Sequence, residues 1–238
     1  MIFAAGLGTR LKPITDTMPK ALVKIAGKPL LAHVMEKLTK AGADRVIINV
    51  HHFASQIVNY LDTHSFGAET LISDESEMLL ETGGGIRKAA SLFRDSEPIL
   101  IHNVDIISNV DISSFYKESA DNDATLLVSE RKTNRYLLFN DEMRLMGWTN
   151  ISTGEVRSPY PNLNPADCKM YAFSGIHTFS PRLIPQMESF PDKFGIIDFY
   201  LKMCDKADIK GIVKDDLRLL DVGKLDSLDQ AEHLIRDI

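Results

Sequence analysis

Residues 3–10 of the chain have the sequence Phe3-Ala4-Ala5-Gly6-Leu7-Gly8-Thr9-Arg10, and Pro19-Lys20 follows after a short polar segment. A brief apolar run therefore breaks into a glycine-rich turn that is accompanied by two cations. Backbone N–H groups in such a turn approach a phosphate chain closely, and the cations neutralise its charge. Taken alone, the stretch fits a phosphate-binding turn no better than an ordinary turn followed by a solvated loop lysine. We interpret it as a buried strand that leads into an anion-binding turn.

The composition is that of an ordinary globular protein with one large α/β domain. The chain has 238 residues, of which 44% are hydrophobic and 25% are charged, and its net charge is −6. This charge gives no basic field, which argues against nucleic acid as a partner. No apolar stretch has the length of a membrane span, and the first residues have no basic region of the kind that opens a signal peptide. Cys168 and Cys204 are far apart and are expected to be free thiols in a reducing cytoplasm.

Predicted strands and helices alternate through the first half of the chain. This rhythm predicts a mixed, mostly parallel Rossmann-like sheet flanked by helices, with ligands beyond the carboxyl ends of the strands. The predicted strands are Ile2–Ala5, Arg45–Val50, Ala68–Ile72 and Pro98–His102, and the predicted helices are Pro29–Ala41, Ser55–Leu61 and Gly85–Phe93.

The second half is less regular. Two β-rich runs, Ala124–Ser129 and Arg135–Phe139, are expected to form a β-ribbon, and a strand over Met170–Phe179 is interrupted at Ser174-Gly175. The segment 150–167 is rich in Pro, Asn, Ser and Gly and is typical of a loop. Helices are predicted over Phe194–Cys204 and Lys224–Asp237.

Two aspartates at predicted strand ends form a candidate metal site. Asp105 follows the apolar strand that ends at His102, and Asp221 follows Leu217–Leu220. Mg²⁺ in proteins takes one or two carboxylates and completes its shell with water and substrate phosphates. The alternative for each aspartate is a turn or helix-cap role, and Asp221 is well placed to cap the helix predicted from Lys224.

A second glycine run, Glu81-Thr82-Gly83-Gly84-Gly85, precedes a predicted helix. Three consecutive glycines carry an entropic cost, so close approach of the backbone to a base or ribose is one explanation and a flexible hinge is the other. Weaker candidates for the acceptor half of a cleft are Asn103, Gly147, Trp148, Ser174 and Gly175.

These segments together resemble the sugar-1-phosphate nucleotidyltransferases. The resemblance rests on residues 4–10, on 19–23 with 27–30, on 80–85, on 103–105, and on 173–176 with 220–223, so that it covers nearly the whole chain. It is strongest to short members that use N-acetylmuramate 1-phosphate with UTP or mannose 1-phosphate with GTP. It implies a nucleotide-diphospho-sugar transferase fold in a single domain over 1–238, with 1–110 mainly binding nucleotide and 111–238 mainly binding sugar phosphate. A left-handed β-helix extension of larger relatives is not expected.

The resemblance also implies a role for each matching residue. Arg10, Lys20 and Asp105 would carry catalysis, and Asp105 and Asp221 would bind Mg²⁺. The implied nucleotide-binding residues are Ala4, Ala5, Gly6, Gly8, Thr9, Arg10, Glu81, Thr82, Gly83 and Gly84. The implied sugar-phosphate-binding residues are Lys20, Asn103, Gly147, Ser174 and Gly175. The implied reaction joins an NTP and a sugar 1-phosphate to give an NDP-sugar and pyrophosphate, in a monomer or homodimer.

Two departures from the family pattern keep other functions open. Val104 stands where the family has glycine before the metal aspartate, and Lys224 stands where it has threonine. A non-catalytic nucleotide-sugar sensor is therefore one alternative. Transfer from CTP to phosphocholine is another, because Trp148 and Tyr160 are aromatic residues of the kind that surround a quaternary amine.

Overall fold

The computed structural model describes residues 1–238, which form six α-helices and fourteen strands. Short 3₁₀ turns connect several of them. The helices are α1 (Leu30–Lys40), α2 (Ala54–Thr63), α3 (Glu81–Lys88), α4 (Ile112–Glu118), α5 (Ile196–Met203) and α6 (Ser227–Asp237). None of them combines a membrane-spanning length with a sufficiently apolar sequence.

The strands are short except for the twelfth. They are β1 (Ile2–Phe3), β2 (Lys24–Ile25), β3 (Lys28–Pro29), β4 (Arg45–Val50), β5 (Glu69–Asp74), β6 (Ile99–Asn103), β7 (Ile106–Ser108), β8 (Ala124–Ser129), β9 (Arg135–Phe139), β10 (Leu145–Asn150), β11 (Glu155–Arg157), β12 (Lys169–Phe179), β13 (Ile209–Val213) and β14 (Leu219–Asp221). Strands and flanking helices give the expected α/β fold class, and the predicted β4, β8 and β9 have the observed bounds.

The chain divides into two compact units. The first unit contains residues 1–80, 101–117 and 217–238, and the second contains 81–100 and 118–216. The expected halves, 1–110 and 111–238, are defined by the ligand that each would bind and not by compactness. That division stays a prediction.

The first unit is built on parallel strands in the order β6-β1-β4-β5. Ile2 of β1 pairs with Ile48 on one side and His102 on the other, so this two-residue strand lies between the longer strands β4 and β6. Strand β4 is buried from Val46 to Val50, which explains why every residue of this run except Asn49 is apolar. A separate antiparallel pair joins β7 to β14, and α6 packs on both of these strands.

Strands β8 and β9 do not form the expected ribbon with each other. In the second unit β8 pairs with β12 and β13, whereas β9 pairs with β10 and with the first residues of β12. The sequence pattern located both strands correctly but carried no information on their partners. The connection at 150–167, expected to be a loop, contains the short edge strand β11 and a 3₁₀ turn.

Tyr200 of α5 packs against His177 and Phe179 of β12 in the core of the second unit. The Tyr200 hydroxyl lies 2.6 Å from His177 Nδ1 and is hydrogen-bonded to it. Burial lowers the pKa of His177 to about 3 and raises the pKa of Tyr200 well above its usual range. Both side chains are therefore neutral near pH 7, and their hydrogen bond satisfies polar atoms that water cannot reach. Phe179 packs beside Tyr200 with 6.4 Å between ring centres.

The second glycine run lies inside helix α3 rather than before it. Helix α3 begins at Glu81, and the amides of Gly83 and Gly84 donate to the Phe194 carbonyl oxygen at 2.9 and 3.2 Å. A Cβ atom on Gly83 would overlap the Phe194 ring. Packing of a helix against an aromatic ring thus gives this glycine a structural role that the sequence did not reveal.

We predict that Gly83→Ala lowers the free energy of unfolding by about 1–2 kcal/mol. Overpacking costs about 1–3 kcal/mol, and so close an overlap with the Phe194 ring belongs to the upper part of that range. The gain of about 1 kcal/mol from replacing a helical glycine by alanine offsets only part of this cost. Urea denaturation followed by circular dichroism measures the change.

Gly6→Ala is the matched control for this change, because a Cβ there meets nothing within 4 Å. It should leave the unfolding midpoint nearly unchanged. Adding Phe194→Leu to Gly83→Ala should recover part of the loss, and an unaltered midpoint in Gly83→Ala would contradict the packing argument.

Candidate functional site

The glycine turn after β1 packs against Thr15 and is hydrogen-bonded to it. Gly8 has φ +64°, and a Cβ atom there would lie 2.9 Å from Thr15 Cγ2 and 3.0 Å from Lys20 Cβ. The Thr15 hydroxyl donates to the Gly8 carbonyl oxygen at 2.8 Å. Only glycine fits both the backbone conformation and the available space, so the turn lies directly against Lys20.

Lys20 is a buried, paired cation and not a solvated loop lysine. It is 8% exposed and lies in a 3₁₀ turn that begins after Pro19. Its Nζ donates to the Asp105 carboxylate at the end of β6. A buried ammonium needs such a partner, so the pair fixes the position of both charges.

Strand pairing brings the second aspartate beside the first. Asp221 is the last residue of β14 and pairs with Ile106 of β7, the residue after Asp105. The Val222 amide donates to the Asp105 carbonyl oxygen at 2.8 Å. Helix α6 begins at Ser227, so Asp221 is not the helix cap that the sequence allowed.

Arg10 completes the cluster. A Cβ atom on Gly223 would lie 2.6 Å from Arg10 Nη2 and 2.7 Å from Asp221 Oδ1, so the absence of a side chain leaves room for both groups. Arg10 is exposed and forms no hydrogen bond or ion pair, which leaves its guanidinium available to an anion. We call Arg10, Lys20, Asp105 and Asp221 the charged cluster of the first unit.

The charged cluster fits a hard divalent cation. Asp221 Oδ1 is buried and has no hydrogen-bond partner. An unpartnered carboxylate oxygen in a buried position is costly unless a cation or donor occupies the space beside it. Two carboxylates are also the number that Mg²⁺ takes when phosphates and water supply its other ligands.

The remaining first-unit candidates lie on or beside β1 and β6. Ala4 and Ala5 are buried, whereas Gly6 and Thr9 are exposed. Asn103 pairs with Phe3, which places it where β1 enters the glycine turn. Its neighbour His102 is fully buried, and burial lowers its pKa to about 4.

Val104 does not disturb the strand end. It is 5% exposed, its amide donates to the Phe3 carbonyl oxygen at 3.1 Å, and its φ is not positive. A β-branched residue therefore fits without strain where the family pattern has glycine.

The predicted site residues of the second unit have structural contacts of their own. The Thr82 hydroxyl accepts the Ile196 amide at 2.9 Å, and Glu81 has φ +62°. A Cβ atom on Gly147 would lie 2.8 Å from the Arg157 carbonyl oxygen, so this glycine allows β10 to approach its neighbour. These contacts neither require nor prevent ligand binding, and the nucleotide and acceptor roles remain predictions.

The interruption expected in β12 is a bulge. The β8–β12 register shifts between Phe173 and His177, and Gly175 has φ +75°. Ser174 is only 1% exposed, with its hydroxyl 3.4 Å from that of Ser129. The bulge bends the strand at the Ser174-Gly175 pair.

Sequence reasoning missed three buried polar residues near the glycine turn: Thr15, Asn49 and Glu75. A faint signal exists for Asn49, because it is the one polar residue in the apolar run 46–50. Thr15 and Glu75 lie in polar segments, where nothing in the sequence distinguishes them from solvated residues.

Known proteins share sequence and fold with this chain. Two curated relatives are N-acetylmuramate alpha-1-phosphate uridylyltransferases. The protein from Caulobacter vibrioides is 41% identical over 110 residues, which are 45% of this chain and 45% of that protein. The protein from Neisseria meningitidis is 36% identical over 121 residues, 50% of this chain and 52% of that protein. The matched segments thus span about half the length of these relatives.

A solved structure shows the same fold along the whole chain. A putative glucose-1-phosphate thymidylyltransferase from Bacillus anthracis superposes with a TM-score of 0.82 and 17% identity, covering 100% of this chain and 94% of that one. The nucleotide-diphospho-sugar transferase fold is therefore confirmed. The family model described as nucleotidyl transferase matches residues 1–237, and the chain belongs to that family.

Proposed function

We propose that the protein joins an NTP to a sugar 1-phosphate, forming an NDP-sugar and releasing pyrophosphate. The observation that carries the proposal is the charged cluster, in which two cations and two carboxylates meet beside a glycine turn. Family membership supports the same reaction class. The free Cys168 and Cys204 are compatible with the cytoplasmic location that belongs to this proposal.

The chemistry requires positioning and charge neutralisation rather than a general base. The nucleophile is a phosphate oxygen of the sugar 1-phosphate, whose second pKa near 6 leaves it ionised at neutral pH. It attacks the α-phosphorus of the NTP, a new P–O bond forms, and the bond to the β,γ-pyrophosphate breaks. Pyrophosphate carries the electron pair away, so the protein supplies no proton.

Each residue of the charged cluster has a role in this reaction. Arg10 binds the triphosphate, since its guanidinium has no other partner. Lys20 is held by Asp105 and neutralises the sugar phosphate and the α-phosphate as charge builds up between them. Asp105 and Asp221 would hold Mg²⁺, which when bound supplies further neutralisation of the phosphate oxygens.

UTP with N-acetylmuramate 1-phosphate is the first substrate pair to test, because both curated relatives above carry that activity in their names. GTP with mannose 1-phosphate is the second pair, on the strength of relatives named mannose-1-phosphate guanylyltransferases.

The phosphocholine alternative gains no support from its two aromatic residues. The Arg157 guanidinium lies over the Trp148 ring at 5.6 Å, and a second cation would be repelled there. The Tyr160 hydroxyl donates to the Cys204 carbonyl oxygen at 2.9 Å, which ties this ring to α5 and the turn after it.

The test of the proposed reaction is an array of the four NTPs against several sugar 1-phosphates with Mg²⁺, scored by pyrophosphate release. We expect release with at least one pair. Binding of an NDP-sugar without any pyrophosphate release would instead establish the sensor alternative.

Asp221→Asn should lower Mg²⁺-dependent turnover by about 10²-fold or more while leaving the fold intact. Its Oδ1 has no partner in the protein, so the substitution removes a ligand for the cation without breaking a hydrogen bond. Turnover is measured across a Mg²⁺ titration together with the melting temperature.

The matched control is Asp226→Asn, an exposed aspartate without a side-chain cap bond at the start of α6. It should retain full turnover. Wild-type turnover in Asp221→Asn would remove the residue from the metal site. Asp105→Asn should also abolish Mg²⁺-dependent turnover, but it leaves Lys20 without a carboxylate and is expected to destabilise the protein as well.

Lys20→Ala should lower kcat by about 10²–10³-fold, as expected for a group that stabilises charge in the transition state. Lys24→Ala removes an exposed lysine four residues away and serves as the control. Steady-state kinetics with saturating NTP separate the two variants. An unchanged kcat in Lys20→Ala would contradict the role assigned to this amine.

A further inference from the structure

A buried amide links the backbone of the glycine turn to the sheet. Asn49 lies in β4, is 3% exposed, and accepts the Ala4 amide through Oδ1 at 2.7 Å. Ala4 is the first residue after β1, where the chain leaves the strand for the glycine turn. The Asn49 side chain therefore accepts the hydrogen bond of the Ala4 amide just beyond the residues of β1 that pair with the neighbouring strands.

A buried carboxylate continues this link to a second segment. Glu75 is 0% exposed, and its Oε1 accepts from Asn49 Nδ2 at 2.7 Å. Its Oε2 accepts the Leu80 amide at 3.1 Å. Leu80 directly precedes Glu81, the first residue of the second segment proposed to bind nucleotide. One amide–carboxylate bridge thus spans from Ala4 to Leu80.

Burial of this bridge carries a desolvation cost, which its hydrogen bonds offset. A carboxylate withdrawn from water needs strong donors, and an apolar pair of similar size would fill the same space at lower cost. The bridge makes hydrogen bonds to two backbone amides that lie outside the sheet ladder. Its effect is to fix the backbone of two loops that regular secondary structure does not hold.

We infer that Asn49 and Glu75 are positioning residues for nucleotide binding, which act by holding the backbone at Ala4 and Leu80. The inference rests on the proposed function and on the sequence-based prediction that the segments beginning at Ala4 and at Glu81 bind the nucleotide. Neither side chain touches the nucleotide. Binding through backbone groups tolerates little displacement, so a looser backbone weakens it.

Exchanging the amide and the carboxylate between positions 49 and 75 tests this inference. In Glu75→Gln, the new amide oxygen accepts from only one of the two donors, and the new amide nitrogen faces the other. In Asn49→Asp, two carboxylates face each other. In the double variant, the carboxylate at position 49 accepts both the Ala4 amide and the side-chain nitrogen at position 75, while the side-chain oxygen at position 75 accepts the Leu80 amide. The double variant therefore restores these three hydrogen bonds with the same total charge.

We expect each single variant to raise the KM for NTP about tenfold, with a smaller change in kcat, because one charge-assisted hydrogen bond is lost. The double variant should return the KM to within about threefold of wild type. Hydrogen exchange at the Ala4 and Leu80 amides, followed by NMR, should be faster in the single variants and restored in the double variant.

The outcomes separate this inference from the proposed function. If the wild type turns over no substrate, the proposed function fails and the exchange rates alone decide whether the bridge holds the two amides. Unchanged KM and unchanged exchange in both single variants would overturn the inference. A lower melting temperature with unchanged KM would reduce the bridge to a purely structural role. A change of preference among the four NTPs in Glu75→Gln would place Glu75 against the base, which also overturns it.

Discussion

The ion pair between Lys20 and Asp105 is the contact on which the site depends. It joins the end of the short polar segment that follows the glycine turn to the carboxyl end of β6, two parts of the chain that are 85 residues apart. Because Lys20 is nearly fully buried, its ammonium must have this partner, and no solvated arrangement competes with it. The glycine turn packs against Thr15 and the Lys20 side chain. Asp221 lies beside the pair because β14 pairs with β7.

Glycines at two points of the first unit serve the same purpose of close approach. Gly8 lets the turn contact Lys20 and Thr15, and Gly223 leaves room for Arg10 next to Asp221. A side chain at either position would separate the charges that the strand pairing brings together. Gly83 also allows a close approach, but the group that approaches it is the Phe194 ring. A glycine in a signature segment is therefore not by itself evidence of a ligand contact.

The sequence predicted those features that depend on local periodicity and strand ends. The bounds of β4 and the position of α1 follow from apolar runs. The sequence also placed Asp105 and Asp221 at strand ends, but the antiparallel pairing of β14 with β7, and not a shared edge of the parallel sheet, brings them together. Contacts between distant residues have no such local signal. The partners of β8 and β9 and the ring beneath Gly83 could not be found from the sequence for this reason. The same applies to the bridge through Asn49 and Glu75, whose members are 26 residues apart.

The charge balance of the cluster bears on how substrates bind. Arg10 and Lys20 are cancelled by Asp105 and Asp221, so the cluster by itself attracts neither an isolated anion nor an isolated cation strongly. Under the proposed function, a cation placed against Asp221 would shift the balance and make the cluster favourable for a polyphosphate, and the polyphosphate would in turn supply the oxygen ligands that two carboxylates leave missing. Binding of the cation and binding of the polyphosphate would then reinforce each other by linkage.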